Sequence, residues 1–140
     1  MWKVFTAKTL YRTKSLDKLK KRDKYYRENL DLIEERIVSI KARNFDEAIA
    51  KAEKEALSYA LQTEYINPYG QTMKQEYIGS IDIFEPFDDI PANIELFSVT
   101  FLIDSTVTNF ELTDNTMGKE YEDELHLRQK FFNSEFSNLP

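Results

Sequence analysis

The 140-residue chain lacks cysteine, has one histidine, and carries only three glycines, at positions 70, 79 and 118. Without cysteine there is no disulfide, no thiolate nucleophile and no cysteine-based zinc site. With so few glycines there is no glycine-rich loop to cradle a phosphate. No apolar run approaches the ~20 residues of a membrane span, and the first residues lack the apolar segment of an export signal. These absences predict a cytoplasmic protein that neither enters a membrane nor uses a cofactor.

Aromatic residues, in contrast, are plentiful and make up 14% of the chain. Phenylalanine and tyrosine bury large apolar areas, and a chain of this length buries roughly 65–70% of the surface that its unfolded state exposes. We therefore expect a single folded domain over residues 1–140, stabilised by its core alone.

Charge is divided unevenly along the chain, although the net charge is only −6. Residues 1–44 hold 13 basic and 6 acidic residues, a net of +7, whereas residues 45–140 hold 6 and 19, a net of −13. A basic cluster is typical of a polyanion-binding surface. Because acids interrupt this cluster, the sequence favours the alternative of a solvated segment that partly neutralises its own fold, and argues against nucleic acid as a partner. The polyanion candidates are Lys18, Lys20, Lys21, Arg22 and Lys24, flanked by Lys14 and Arg27.

Hydrophobic patterning predicts the α+β class, with an antiparallel sheet of four to five strands. Asn44 precedes Glu47 at the spacing of a capping box, and the alanines that follow form a narrow stripe. We therefore predict a helix over 44–61 that packs on one face of the sheet. The predicted strands cover 2–12, 36–42, 72–85 and 94–104, with a short final strand over 106–112.

Four further features complete the predicted fold. Asn67–Gly70 reads as a turn, and Gly79 in the middle of a strand indicates a bulge. Apolar residues at helical spacing predict a charged insertion over 14–31, which is either a surface helix or a semi-ordered segment. A last helical pattern predicts a C-terminal helix over 118–136.

The strand that begins at Glu35–Ile37, the helix with Asp46–Ala48 and the turn at Tyr65–Gly70 together resemble the bacterial family called domain of unknown function 4288. Glu35–Ile37 leading to Lys41–Ala42 is similar to its second strand, and Asp46–Ala48 with Ala52 is similar to its helix. The resemblance covers roughly residues 1–13 and 34–104, and departs at 91–94, where the family tends to carry a glycine. It implies the same fold in a bacterial cytoplasmic setting and no catalytic residue. The turn and closing strands of the family are matched by Tyr65–Gly70, Tyr77–Glu85 and Glu95–Ser98.

Two groups of aromatic and apolar residues are candidates for contacts with other molecules. Those around the predicted turn either line a groove for a partner or small ligand or seal the end of the sheet. Those in the predicted C-terminal helix either cover the domain's own sheet or dock on a second subunit. The groove candidates are Tyr65, Tyr69, Tyr77 and Phe84, and the interface candidates are Tyr121, Leu125, Phe132 and Phe136.

A homodimer is predicted from the sheet face opposite the helix. With Phe5, Ile37, Ile78 and Phe84 this face is too apolar to remain exposed, so the charged N-terminal segment, the C-terminal helix or a second copy of the chain must cover it.

Carboxylates are the remaining candidates for chemistry. Asp88 and Asp89 lie in a loop between two prolines and could hold a hard cation together with Asp82 and Glu95. Glu122 and His126 share a predicted helix face, but a lone histidine on an acidic helix is most often simply exposed. We favour solvated carboxylates, and assign no metal site and no catalytic residue.

These observations predict a non-enzymatic protein–protein interaction module. Its acidic 45–140 region would complement a basic partner, because charge complementarity accelerates encounter. Two alternatives stay open: a small metal-dependent enzyme that uses the loop carboxylates, and a polyanion-binding protein that uses the basic 14–27 segment.

Overall fold

Five antiparallel strands form the centre of the fold in the computed structural model, which describes residues 1–86 and 88–114. The sheet has the order β3-β4-β1-β2-β5. One long helix, α1 (Phe45–Leu61), follows β2, and a short helix, α2 (Asn109–Asp114), follows β5. This architecture confirms the predicted α+β class. The strands are β1 (Lys3–Ser15), β2 (Leu30–Ala42), β3 (Tyr65–Ile66), β4 (Thr72–Phe84) and β5 (Glu95–Asp104).

The two faces of the sheet carry separate apolar clusters. On the α1 face, Phe5, Val38 and Ile40 pack against alanines of the helix. On the second face, Leu10 and Ile33 pack with residues of β5 and with Leu112 of α2. The prediction that Phe5 shares the opposite face with Ile37 is wrong, because side chains alternate along a strand and Phe5 packs under α1. Phe84 is 44% exposed.

Helix α1 begins where its capping residue predicts. The Asn44 Oδ1 atom accepts a hydrogen bond of 2.8 Å from the backbone N–H of Glu47. Ala48, Ala52, Ala56 and Ala60 are buried against the sheet. Their spacing of four residues places them on one face, and their small size lets the helix lie close to the strands.

Both predicted glycine features are confirmed. Gly70 has a φ of +79° and donates its N–H to the Asn67 carbonyl at 3.0 Å, which closes the turn. Gly79 has a φ of +142° and lies between two register shifts in the pairing of β1 with β4. These bulges bend β4 where it passes the middle of β1.

Two predicted elements are wrong. No helix spans 14–31: Lys14 and Ser15 end β1, residues 16–29 form an irregular loop, and Leu30 begins β2. The leucines suggested a helix because Leu30 and Ile33, which belong to a strand, continued their spacing by chance. The short strand predicted over 106–112 is instead a turn that leads into α2. The predicted helix over 118–136 lies outside the described residues.

Candidate cleft between α1 and β5

Two charged residues of β2 point into the interface with α1, in phase with its core residues. Glu34 and Arg36 precede Val38 and Ile40 on the same face of the strand, and both are at least 90% buried. A buried charge requires partners, because desolvation is costly. Their partners therefore define the polar centre of the molecule.

Arg36 is held between two carboxylates from different elements. Its Nε donates to Glu95 Oε1 of β5 at 2.6 Å, and its Nη1 donates to Glu55 Oε1 of α1 at 2.6 Å. Nη1 also donates to the hydroxyl of Tyr11 at 3.0 Å. The guanidinium lies 3.6 Å from the ring centroid of Tyr59, within the range of a cation–π contact. One side chain thus joins α1 to three strands.

A second set of hydrogen bonds supports this centre from the side of β4. The Tyr59 hydroxyl donates to Glu34 Oε1 at 2.6 Å, and Gln75 Nε2 donates to the same oxygen at 3.2 Å. Thr9 and Tyr11 share a hydrogen bond of 2.8 Å. These contacts fix the ring of Tyr59, and with it one wall beside Arg36.

The surroundings of Arg36 and Tyr59 raise the pKa of both groups. Burial alone would lower the pKa of Arg36, but its hydrogen bonds to Glu95, Glu55 and Tyr11 raise it above the ordinary value. Burial, together with the neighbouring carboxylate of Glu34, raises the pKa of Tyr59 well above its usual range. Arg36 therefore stays charged and Tyr59 stays neutral near neutral pH.

Two adjoining cavities open beside Arg36, which we call the α1–β5 cleft. Their volumes are about 460 and 190 Å³. Within the described part of the chain, Arg36 Nη2 and Glu95 Oε2 take part in no hydrogen bond, although the other polar atoms of the two groups do. The cleft therefore offers one donor and one acceptor beside the ring of Tyr59. The larger cavity is lined by Arg36, Lys51, Lys54, Glu55, Ser58, Tyr59 and Gln62, and the smaller adds Val38, Ser39, Ile40, Asn93, Ile94 and Glu95.

An acidic and apolar surface continues from the cleft along the connection between β4 and β5. Residues 82–95 contain five carboxylates and no basic residue. Ile94, Leu96 and Phe97 are 44%, 38% and 60% exposed. Such side chains are normally buried in clusters, so their exposure at one strand end is notable. We call the described residues of 84–97 the acidic–apolar surface.

The four groove candidates lie in different parts of the fold. Tyr77 packs against Tyr11 beneath α1, with ring centroids 5.7 Å apart. Tyr69 is 2% exposed in the turn after β3, where its hydroxyl donates to Asp23. Tyr65 packs beside Met73, and Phe84 ends β4 at the opposite end of the sheet. They do not form one surface, and a ligand contact by any of them stays a prediction.

The candidate carboxylates are also separated. Glu95 binds Arg36, whereas Asp88 and Asp89 line a cavity of about 330 Å³ beside Trp2 and Lys3. Asp82 is exposed on β4. Over residues 1–86 and 88–114, no three histidine, aspartate or glutamate side chains come close enough to hold a metal ion. The remaining candidates, Tyr121, Glu122, Leu125, His126, Phe132 and Phe136, lie outside the described residues.

Sequence reasoning missed the central role of Arg36, Glu55 and Tyr59. The available signal was the alternation along β2, where Glu34 and Arg36 occupy positions in phase with the core. Glu55 and Tyr59 are four residues apart and share a helix face, which also follows from sequence. What no pattern supplies is the pairing of β2 with β5, which brings Glu95 to Arg36.

The fold and its polar centre define a small α+β domain in which one helix and an antiparallel sheet enclose a paired arginine. Residues 4–98 match the family described as Domain of unknown function (DUF4288). The chain belongs to this family, which confirms the resemblance found in its sequence. No curated protein and no solved structure matches the chain. Among the described helices, none has the length and apolar character needed to cross a membrane.

Proposed function

We propose that this chain is a non-enzymatic interaction module, and that it binds a basic protein partner through the acidic–apolar surface. The observation that carries the proposal is the exposure of Ile94, Leu96 and Phe97 at the end of an acidic connection between β4 and β5. Interfaces combine apolar anchors with a charged rim, and that combination is present at this end of the sheet.

Charge complementarity favours a basic partner. Five carboxylates follow one another in sequence from the end of β4 to the start of β5, and within the described residues only Glu85 and Glu95 form ion pairs, with Lys3 and Arg36. An exposed acidic rim accelerates the encounter with a positively charged surface. The apolar residues would then supply the contact area that holds the complex.

The α1–β5 cleft adjoins this surface at Glu95, which Arg36 holds in place. Arg36 fixes Glu95 through Oε1 and leaves Oε2 directed to no other described group. A lysine or arginine of the partner can therefore meet a carboxylate that is already oriented, which lowers the entropic cost of pairing.

The test compares two exposed apolar residues of similar solvent exposure. Phe97→Ser removes the proposed anchor, whereas Leu61→Ser changes a residue that is 78% exposed at the far end of α1. Tagged wild-type protein and both variants are used to capture partners from lysate of the source organism, at low and moderate salt. A basic protein retained by wild type and Leu61→Ser, and lost with Phe97→Ser and with added salt, supports the proposal. Equal retention by all three proteins contradicts it.

We also propose a bacterial cytoplasmic setting, on the strength of the family resemblance, and a homodimer as a second mode of association. The half-buried Ile37 and Ile78 and the exposed Phe97 lie on or beside the sheet face opposite α1, which favours such a contact. Light scattering at micromolar concentration tests it. A mass near that of one 16.6 kDa chain contradicts the homodimer.

A further inference from the structure

The loop between β1 and β2, residues 16–29, contains six of the basic residues and three acids, and we call it the basic arm. It lies at the end of the sheet opposite the acidic–apolar surface, because β1 ends there and β5 begins at the other end. A charged loop of this length without secondary structure would ordinarily be mobile. Here it is fastened to the turn after β3.

The arm is fastened by its own acids. Both oxygens of Asp17 accept hydrogen bonds from Thr72, from the backbone N–H at 2.8 Å and from the hydroxyl at 3.1 Å. Asp23 Oδ1 accepts from the hydroxyl of the buried Tyr69 at 2.8 Å and from the Tyr25 N–H at 2.8 Å. The Thr72 N–H lowers the pKa of Asp17, and the Tyr69 hydroxyl lowers that of Asp23, so both acids remain charged anchors.

The backbone of the arm is held by the same turn. The N–H groups of Lys20 and Lys21 donate to the Tyr69 carbonyl at 3.1 and 3.3 Å. The rings of Tyr26 and Tyr69 meet edge to face, with centroids 5.1 Å apart. The lysine side chains themselves take no part in these contacts apart from the stem of Lys20, which lies over Gly70.

The cations of the arm remain exposed. Lys18, Lys20, Lys21 and Lys24 are exposed and form no ion pair with any residue that the structure describes. Arg22 pairs only loosely with Glu28, at 3.8 Å and with both side chains more than 60% exposed. The exposed cations agree with the solvated segment favoured from sequence, and they leave the arm free to contact another molecule.

Tyr25 adds a stacking surface among these cations. It is 46% exposed, and Lys24 Nζ lies 5.1 Å from its ring centroid. Exposed aromatic rings within a cationic groove are the means by which proteins bind single strands without sequence preference, since each base can stack on a ring. A fixed backbone lowers the ordering cost of such binding.

From this geometry we infer that the basic arm binds single-stranded nucleic acid, with its lysines contacting phosphates and Tyr25 stacking on a base. The sequence alone argued against nucleic acid, because acids interrupt the basic cluster. In the structure two of these acids, Asp17 and Asp23, accept hydrogen bonds from Thr72 and Tyr69, so we favour nucleic acid instead. It is independent of the partner proposed for the acidic–apolar surface.

The test measures binding of a labelled oligodeoxythymidylate of about 20 nucleotides by fluorescence anisotropy, at about 50 mM salt and above. The triple variant Lys18→Gln, Lys21→Gln, Lys24→Gln should weaken binding by at least about tenfold. It should also make the slope of log affinity against log salt shallower by about 2, since each phosphate contact in a single strand contributes about 0.7. Lys3→Gln, Lys51→Gln, Lys54→Gln is the control with the same change of charge at exposed lysines outside the arm, and should bind almost as wild type does.

Tyr25 distinguishes nucleic acid from other polyanions. Tyr25→Ala should weaken oligonucleotide binding by about tenfold, and Tyr25→Phe should retain it, because stacking needs the ring and not the hydroxyl. Heparin retention should be unchanged in both variants. Circular dichroism and the thermal midpoint verify that each variant is folded.

Three results would overturn the inference. The first is no saturable binding of the oligonucleotide at about 50 mM salt. The second is an equal loss in the arm variant and the matched control, which would show a diffuse charge effect. The third is heparin and oligonucleotide binding that are both indifferent to Tyr25→Ala, which would make the arm a general polyanion surface.

Discussion

Two buried arginines on opposite faces of the sheet have different surroundings. Arg12 of β1 uses all three nitrogens: Nε donates to Asp31 at 2.7 Å, Nη1 to Asn109 at 3.0 Å and Nη2 to the Ser105 carbonyl at 3.1 Å. Its carboxylate partner is itself 5% exposed. Arg36 of β2 instead pairs with two carboxylates that are about one-third or more exposed, and it borders the α1–β5 cleft.

The comparison separates a structural ion pair from one that is available to a ligand. A fully enclosed pair is sensitive to the loss of either member, because the other charge stays buried without a partner. A pair whose carboxylates reach solvent can rehydrate them when the arginine is lost. Arg12 therefore holds α2 and the loop before it against the sheet. Arg36 can both stabilise the fold and orient Glu95 for a partner.

The largest expected effect is that of Arg12→Met. It leaves the carboxyl of Asp31 enclosed without its partner, so we expect the free energy of unfolding to fall by about 3–5 kcal/mol in urea titrations. The double variant Arg12→Met, Asp31→Leu should recover much of that loss, since no buried charge remains. If Arg12→Met lowers the free energy of unfolding by less than Arg36→Met does, the proposed difference between the two arginines is wrong.

Arg36→Met should have a smaller effect, about 1–2 kcal/mol, because Glu55 and Glu95 return to water. Arg36→Lys should keep a charge but lose the simultaneous contact with both carboxylates. Urea titration measures the stability of each, and the capture experiment with the Phe97 variants gives a second readout. If Glu95 must be oriented by Arg36, partner retention falls in Arg36→Met even at temperatures where the variant is fully folded. Unchanged retention would make Arg36 as purely structural as Arg12.

The sequence predicts the elements of this fold better than it predicts the contacts of either arginine. The Asn44 cap, the alanine stripe and the two glycine positions each follow from a local rule, and each is confirmed. Arg12 and Asn109, in contrast, are 97 residues apart and meet only because α2 folds back on the second face. Pairings of that kind depend on strand order and register, which no local pattern encodes.

In the basic arm, by contrast, a local rule gave a wrong prediction, because helical spacing predicted a helix where the chain forms a loop. Leu16, Leu19 and Tyr26 have helical spacing, but Leu16 is 59% exposed and the chain there follows the turn after β3. The hydrogen bonds of Asp17 and Asp23 to Thr72 and Tyr69 outweigh the weak helical preference of a charged segment. An aspartate in a basic segment can fix the segment to the fold by accepting hydrogen bonds, and its presence does not by itself argue against a basic binding surface.

The smallest expected effect concerns Glu35, which shares the face of Arg12 but has no arginine partner. It is 4% exposed, Lys8 Nζ lies 3.7 Å away, and its Oε1 accepts no hydrogen bond from the described residues. Burial raises the pKa of this carboxyl, although the charge of Lys8 opposes the change. The native state therefore keeps the proton to a higher pH than the unfolded chain does. As pH rises from about 4.3, the unfolded value, through the raised native pKa, Glu35 lowers the free energy of unfolding.

Glu35→Gln removes this pH dependence. It measures how much an enclosed carboxylate without an arginine partner lowers the free energy of unfolding, for comparison with Asp31, which has Arg12. We expect the variant to be more stable than wild type by about 1 kcal/mol at pH 7, and equal to it below about pH 4. Urea titrations across this range measure the difference, with the exposed Glu53→Gln as a control that should follow wild type. A variant less stable than wild type at pH 7 would mean that Lys8 compensates the burial of Glu35. An enclosed carboxylate on this face would then be stable with a lysine in place of an arginine. The larger effect expected for Arg12 would in that case come only from its hydrogen bonds to α2 and the loop before it.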